Sequence, residues 1–233
     1  MRILTVYAHP DDESFGPSAL LATQARRGAM LRGLWLTRGE RGQPTRQPPP
    51  SPAELAEARE ADLREVADLI GYAETEVMDY PDGTLEQLPA DEIVAVVLQR
   101  LRGFRPDVVI TFGPAGITRH SDHVAVSRAT SDAFERGKAE GLPLHALFYD
   151  AVPPDRAAQM GIADAPDGQP NTWIDVSAAD TVKLAALRVH ARHIADARER
   201  ANQIAEAGPS PRYPLHRAWP PVPDGAIVHD LMP

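Results

Sequence analysis

Short runs rich in β-branched and aromatic residues recur along this chain, and between them apolar positions fall every three or four residues. Residues 3–7, 31–37, 76–78, 108–112, 146–149 and 172–176 read as strands, each bounded by Gly, Pro, Asp or Arg-Gly signals. Helical spacing runs over residues 16–27, 53–70, 90–102, 124–135 and 179–205. The first run, Ile-Leu-Thr-Val-Tyr, suits a strand buried on both faces, with a helix beginning near Ser14. Strands alternating with helices predict an α/β fold, a three-layer α/β/α sandwich with a mostly parallel sheet.

Prolines punctuate this pattern twice. Residues 43–52 carry five of them and few apolar positions, which predicts a mobile loop between the second strand and its helix, either a spacer or a lid. From Pro209 they recur at 211, 214, 220, 221 and 223, which predicts a tail that wraps the surface without helix. With 233 residues, no internal repeat and no break in composition, a single domain over 1–233 is expected.

Charge and composition narrow the chemistry. The net charge of −9, from 24 Lys and Arg against 33 Asp and Glu, argues against a nucleic-acid partner, which would be held through phosphate neutralisation. With no cysteine, thiolate nucleophiles, disulfides and Cys-type zinc sites are excluded, so any metal must be held by His and carboxylate. Too few apolar residues precede Asp11 for a signal peptide and no apolar run reaches 18, so a cytoplasmic protein away from the membrane is expected.

Candidate chemistry gathers after two of the strands. His9, Pro10, Asp11, Asp12 and Glu13 pack an imidazole and three carboxylates into one turn behind the first strand, and such strand ends are where α/β sheets collect ligands. His120, Ser121, Asp122 and His123 follow the apolar run 108–112; in a helical start the two histidines, three apart, lie on one face and can converge on a small object. A lone His-x-x-His is more often a surface or capping pair. The first cluster shifts that balance, since its string arises by chance on the order of once in ten thousand chains of this length.

Taken together, Ala8 to Glu13 and His120 to His123 resemble the zinc-dependent N-acetylglucosaminyl de-N-acetylases, the PIG-L or LmbE-like family, which includes the deacetylases of mycothiol and bacillithiol biosynthesis. The resemblance extends to Thr37-Arg38-Gly39-Glu40, Arg59-Glu60, Asp79-Tyr80-Pro81-Asp82-Gly83, Arg105 to Val109 and Lys183 to His190. It implies a Rossmann-like domain in which His9, Asp12 and His123 hold one zinc ion, Asp11 is the general base, and His120, oriented by Asp122, stabilises the oxyanion. It also implies that Arg59 and Asp82 reach the sugar hydroxyls and that the N-acetyl group of an N-acetylglucosamine conjugate is hydrolysed by a metal-bound water. The chain departs from the family at His190-Ala191-Arg192-His193, where relatives often carry His-x-Ser-Gln.

The implied ion makes physical sense. Three N/O ligands leave a fourth position open, as in catalytic zinc, and Fe²⁺ or Co²⁺ would accept the same set. Passing a proton from bulk water to a carboxylate is uphill by about 12 pKa units, or about 16 kcal/mol; on zinc the gap shrinks to about 3 units, or about 4 kcal/mol.

Other readings of single residues stay open at this level. Glu13 suits the start of a helix through its dipole and is left outside the catalytic set. Arg59 reads equally well as an exposed helical residue paired with Glu60 or Asp62, and Asp82 as a turn residue. His190 can face the pocket or pack, while His145, His193, His216 and His229 belong to no constellation.

The expected partner is a small-molecule glycoconjugate, with a homo-oligomer left open. An amidase for a larger acyl group would use the same machinery, and a structural His/Asp zinc site would close the fourth position. A nucleotide-binding module is disfavoured, because the first turn lacks Gly-x-Gly-x-x-Gly and its carboxylates would repel pyrophosphate.

Overall fold

In the computed structural model, which describes residues 1–159, 161–162, 169–223 and 225–232, the apolar runs become strands and the amphipathic stretches helices. In chain order these are β1 (Arg2–Tyr7), α1 (Asp12–Phe15), α2 (Ser18–Arg26), β2 (Met30–Thr37), α3 (Pro52–Ile70), β3 (Glu74–Tyr80), a 3-10 turn (Leu85–Gln87), α4 (Ala90–Phe104), β4 (Val108–Phe112), α5 (Gly116–Arg119), α6 (Ser121–Ala139), β5 (Ala146–Asp150), α7 (Pro154–Gln159), β6 (Thr172–Asp175), α8 (Asp180–His190), α9 (Ala195–Ala207) and β7 (Arg212–Trp219). The strands form one mostly parallel sheet in the order β3-β2-β1-β4-β5-β7-β6. The chain folds as two compact units, one of Met1–Val6, Gly83–Ile174 and Pro214–Pro233, the other of Tyr7–Asp82 and Asp175–Tyr213.

In the first unit β1 and β4 run parallel with Thr5 beside Ile110, and β4 pairs in parallel with β5. β4 is buried along its whole length, which is why its sequence is continuously apolar. The carboxyl ends of β1 and β4 therefore point in the same direction. α4 packs against α6 and buries Ile93, Val94, Val97, Leu98 and Leu101, an apolar stripe at helical spacing.

The tail departs from expectation. It holds no helix among its described residues, but residues 212–219 form β7, antiparallel to β5 with Leu215 beside Asp150. Pro214 inside the run hid this strand, since proline removes a ladder donor and argues against a strand interior.

In the second unit β2 and β3 pair in parallel. α3 starts at a complete capping box: the Ser51 hydroxyl accepts from the Glu54 amide, the Glu54 carboxylate accepts from the Ser51 amide, and Pro52 stands in the first turn. Gly71, left-handed, closes its other end. Leu55, Leu187, Ile194, Ala197, Ala201 and Ile204 form an apolar cluster that joins α3, α8 and α9.

Two helical expectations were too long. The helix expected over 16–27 is preceded by α1 and restarts at Ser18, after Pro17, which has no amide to donate to a helical bond. The helix expected over 179–205 breaks into α8 and α9, because Ile194 is extended and bridges to Pro44 while the Ala195 amide donates to the Gln43 carbonyl. That bridge also ties the start of the proline-rich loop, where Thr45 donates through its amide to the His193 carbonyl and through its hydroxyl to that of Arg192. Among the described residues no helix is long and apolar enough to cross a membrane.

Candidate functional site

β1 delivers the chain into a turn built by its own carboxylates. Asp12 Oδ2 accepts the His9 amide at 2.7 Å and the Ala8 amide at 3.2 Å, folding the chain back within four residues. Asp11 stands at φ 133°, ψ −18°, a conformation that side-chain-bearing residues rarely adopt and that costs about 1–3 kcal/mol. Such strain persists only where neighbours over-determine it, and here they do. The Asp11 amide donates to Glu13 Oε2 at 3.2 Å, and its carboxylate meets Arg59 Nη2 at 2.8 Å.

Arg59 is buried, so the reading of it as an exposed helical residue does not hold. Besides Asp11, its guanidinium donates to the carbonyls of Gly39, at 2.6 Å, and Pro10. Gly39 has φ +69°, and a Cβ there would meet the guanidinium at 2.2 Å, so only glycine fits the Arg-Gly-Glu segment after β2. Burial pushes the Asp11 carboxyl up to about 6, partly offset by Arg59.

Glu13 and His190 form a wholly buried pair, Oε1 to Nε2 at 3.0 Å. Burial alone would raise the Glu13 pKa, but the bond and charge of His190 and the Ser14 hydroxyl outweigh it and lower it. His190 moves the opposite way: burial depresses it, and Glu13 more than restores it above its usual value. Sequence reasoning left Glu13 aside and His190 unassigned.

Asp82 follows β3 in its Pro-Asp-Gly turn, but it is buried and bonded rather than a simple turn residue. Its Oδ1 lies 3.1 Å from His9 Nε2, its Oδ2 accepts the Arg41 amide at 2.9 Å, and its own amide donates to Glu40. Burial would raise its pKa, yet His9 and the Arg41 amide outweigh that and hold the carboxyl at about 2. His9 Nδ1 lies 3.6 Å from Asp12 Oδ2. This unit therefore brings together His9, Asp11, Asp12, Arg59 and Asp82.

The first unit supplies the second cluster, in the connection from β4 to α6. His120 caps α6: its Nδ1 accepts the Asp122 amide at 3.3 Å, which leaves the ring hydrogen of the neutral form on Nε2. The Asp122 carboxylate accepts the amides of Gly83 at 2.7 Å and Leu85 at 3.0 Å, so it holds the chain just past Asp82. His123 Nδ1 lies 3.1 Å from the Gly116 carbonyl, which can only accept; that fixes hydrogen on Nδ1 and leaves Nε2 its lone pair, the tautomer of a metal-ligating histidine. Phe112 stacks on the ring at 4.0 Å and 7°.

Backbone strain sets that carbonyl in place. Ile117, β-branched, has φ 63° and ψ −60°, Arg119 also has a positive φ, and a Cβ at Gly116 would come within 2.7 Å of that of His123. The loop spacing gave no hint of this.

The residues of these clusters that could hold a metal ion include His9, Asp82, His120, Asp122 and His123. They offer imidazole nitrogen and carboxylate oxygen with no thiolate, a donor set that fits zinc or another divalent first-row ion.

The fold is thus a mostly parallel α/β sheet with histidine and carboxylate groups in the connections after its strands, side chains that could hold a metal ion. Residues 4–134 match the family described as GlcNAc-PI de-N-acetylase, and the chain belongs to this PIG-L family. It is 31% identical to the 1D-myo-inositol 2-acetamido-2-deoxy-alpha-D-glucopyranoside deacetylase of Kineococcus radiotolerans, over 91% of this chain and 75% of that protein. It is 30% identical to a probable N-acetyl-alpha-D-glucosaminyl L-malate deacetylase 2 of Bacillus anthracis, over 83% and 82%.

Two solved structures share the fold. The N,N'-diacetylchitobiose deacetylase of Pyrococcus horikoshii superposes with a TM-score of 0.69 at 20% identity, covering 93% of this chain and 83% of that one. The 4-carboxy-2-hydroxymuconate hydratase of Pseudomonas putida superposes with 0.74 at 18%, covering 96% and 98%.

Proposed function

We propose that this chain is a deacetylase that hydrolyses the acetamide of an N-acetylglucosamine conjugate to acetate and a free amine, acting as one domain over residues 1–233. The observation that carries the reading is the strained turn after β1, which presents His9, Asp11 and Asp12 together in a chain of the PIG-L family. In this reading His9, Asp12 and His123 would hold one zinc ion. When bound, zinc lowers the pKa of a water and polarises the acetamide carbonyl.

The chain's own groups do the rest. Asp11 takes a proton from the attacking water and returns it to the leaving nitrogen, and Arg59 keeps its carboxylate aimed. His120 carries its ring hydrogen on Nε2 and donates it to the oxygen that gains charge as the carbonyl carbon becomes tetrahedral; Asp122 orients it through its backbone amide. Asp82, held ionised, accepts from a sugar hydroxyl, and Arg59 stands beside it as the second substrate-binding group.

The test is amine release from a panel of N-acetylglucosamine conjugates, malate- and inositol-linked among them, with metal content measured alongside. Activity should fall with chelation and return with added zinc. Full activity in the chelated protein would sink the reading, and preference for a bulkier acyl group would move it to the amidase alternative.

A further inference from the structure

We propose that Glu13 and His190 form a positioning pair for Asp11, fixing the peptide from which the reacting carboxylate projects; this rests on Asp11 as the base in the reading above. Neither residue has a part in the proton transfers, and both side chains are fully buried beside them.

Four donors converge on Glu13. Its Oε2 accepts the Asp11 amide at 3.2 Å and Trp35 Nε1 at 3.1 Å; its Oε1 accepts the Ser14 hydroxyl at 2.6 Å and His190 Nε2 at 3.0 Å. With hydrogens aimed at both oxygens, an ionised carboxylate is the side chain that satisfies all four, whereas a glutamine of the same shape turns its NH₂ toward two donors in either orientation. One of the four is the amide of the residue at φ 133°. Glu13 thus grips the Asp11 backbone while Arg59 grips its carboxylate from outside the turn.

His190 lies 177 positions away, and its helix, α8, holds the same turn at a second point. Lys183 Nζ donates to the carbonyls of Ser14, Phe15 and Gly16, closing the end of α1. A buried ion pair kept for stability alone is a poor bargain, because apolar residues of equal volume serve as well or better. A pair whose acceptor is shared with a strained catalytic peptide has a reason to be ionic.

The experiment compares E13Q, H190A and H190Q with the wild-type protein, reading kcat, KM, bound zinc and hydrogen exchange of the peptide spanning residues 8–15. In E13Q, kcat should fall about 100-fold, the cost of a small misplacement of a reacting group. KM and zinc should stay within about twofold, and exchange should quicken in the turn alone. H190Q, which keeps an N–H donor, should recover kcat about tenfold over H190A.

A kcat in E13Q within about threefold of wild type overturns the proposal, as does quickened exchange spread across α3 and β2, the mark of a merely structural role. If E13Q does not fold, the histidine pair decides: rescue by H190Q supports positioning, and equal kcat in H190A and H190Q overturns it. If the wild-type protein releases no amine from any acetamido sugar, the functional reading fails. Exchange in the turn then decides this proposal alone, with local quickening in a variant supporting it and unchanged protection overturning it.

Discussion

The turn after β1 and the connection from β4 to α6 reach a similar end by different means. In the first, side chains build the backbone: Asp12 and Glu13 accept amides of Ala8, His9 and Asp11 and hold a strained residue in place. In the second, the backbone builds the side chain: positive φ angles at Gly116, Ile117 and Arg119 set a carbonyl that fixes the tautomer of His123. One region stores its geometry in carboxylates, the other in conformation. The fold alone is shared with a hydratase as well as a deacetylase, so these side-chain arrangements are where the chemistry is to be sought.

The largest effect should separate metal from mechanism. His123→Ala should lose bound zinc, measured by atomic absorption after gel filtration, and with it at least about 10³-fold in kcat/KM. Asp11→Ala should keep zinc at one per chain and lose about 10²–10⁴-fold in kcat. If Asp11→Ala turned over at near wild-type rate, the base would have to be sought elsewhere, and the strained turn would be left without its purpose.

The contrast sharpens at Gly116. An alanine there adds a Cβ 2.7 Å from that of His123 and strains a left-handed residue. It should cost about 1 kcal/mol or more of stability in urea melts and weaken zinc about 10–100-fold in competition with a chelator. Unchanged zinc affinity would mean that the Gly116 carbonyl does not orient the ligand.

The same contrast explains what the sequence made legible. β1 and β4 could be read almost to the residue because continuous apolar runs need only local information, and the His-Pro-Asp-Asp-Glu turn because its charged residues are contiguous and the hydrogen bonds of Asp12 to Ala8 and His9 span four residues or fewer. Glu13 could not be placed: an acidic residue at a helix start looks the same whether it serves the dipole or accepts from Trp35 and His190, 22 and 177 positions away. Arg59 reads equally well as a substrate-binding residue and as a surface residue on a charged helix until Gly39, twenty positions earlier, brings a carbonyl and an open space to it. The break before α9 and the strand in the proline-rich tail share that cause, since each depends on pairing with a distant backbone segment, residues 43–45 in one case and β5 in the other.

The smallest expected effect is a control on both regions. Ser51 caps α3 from outside the turn and the β4–α6 connection, and Arg59 stands two turns further along the same helix. Ser51→Ala removes the hydroxyl that accepts the Glu54 amide and should cost about 1 kcal/mol in a urea or thermal melt. Arg59 is held at its far end by Gly39, Pro10 and Asp11, none of which the cap touches. Fraying of the first turn should therefore stop short of it and leave kcat and zinc content unchanged. If kcat fell with the cap, the aim of Asp11 would depend on the whole length of α3, and the first region would be less self-contained than its short-range hydrogen bonds imply.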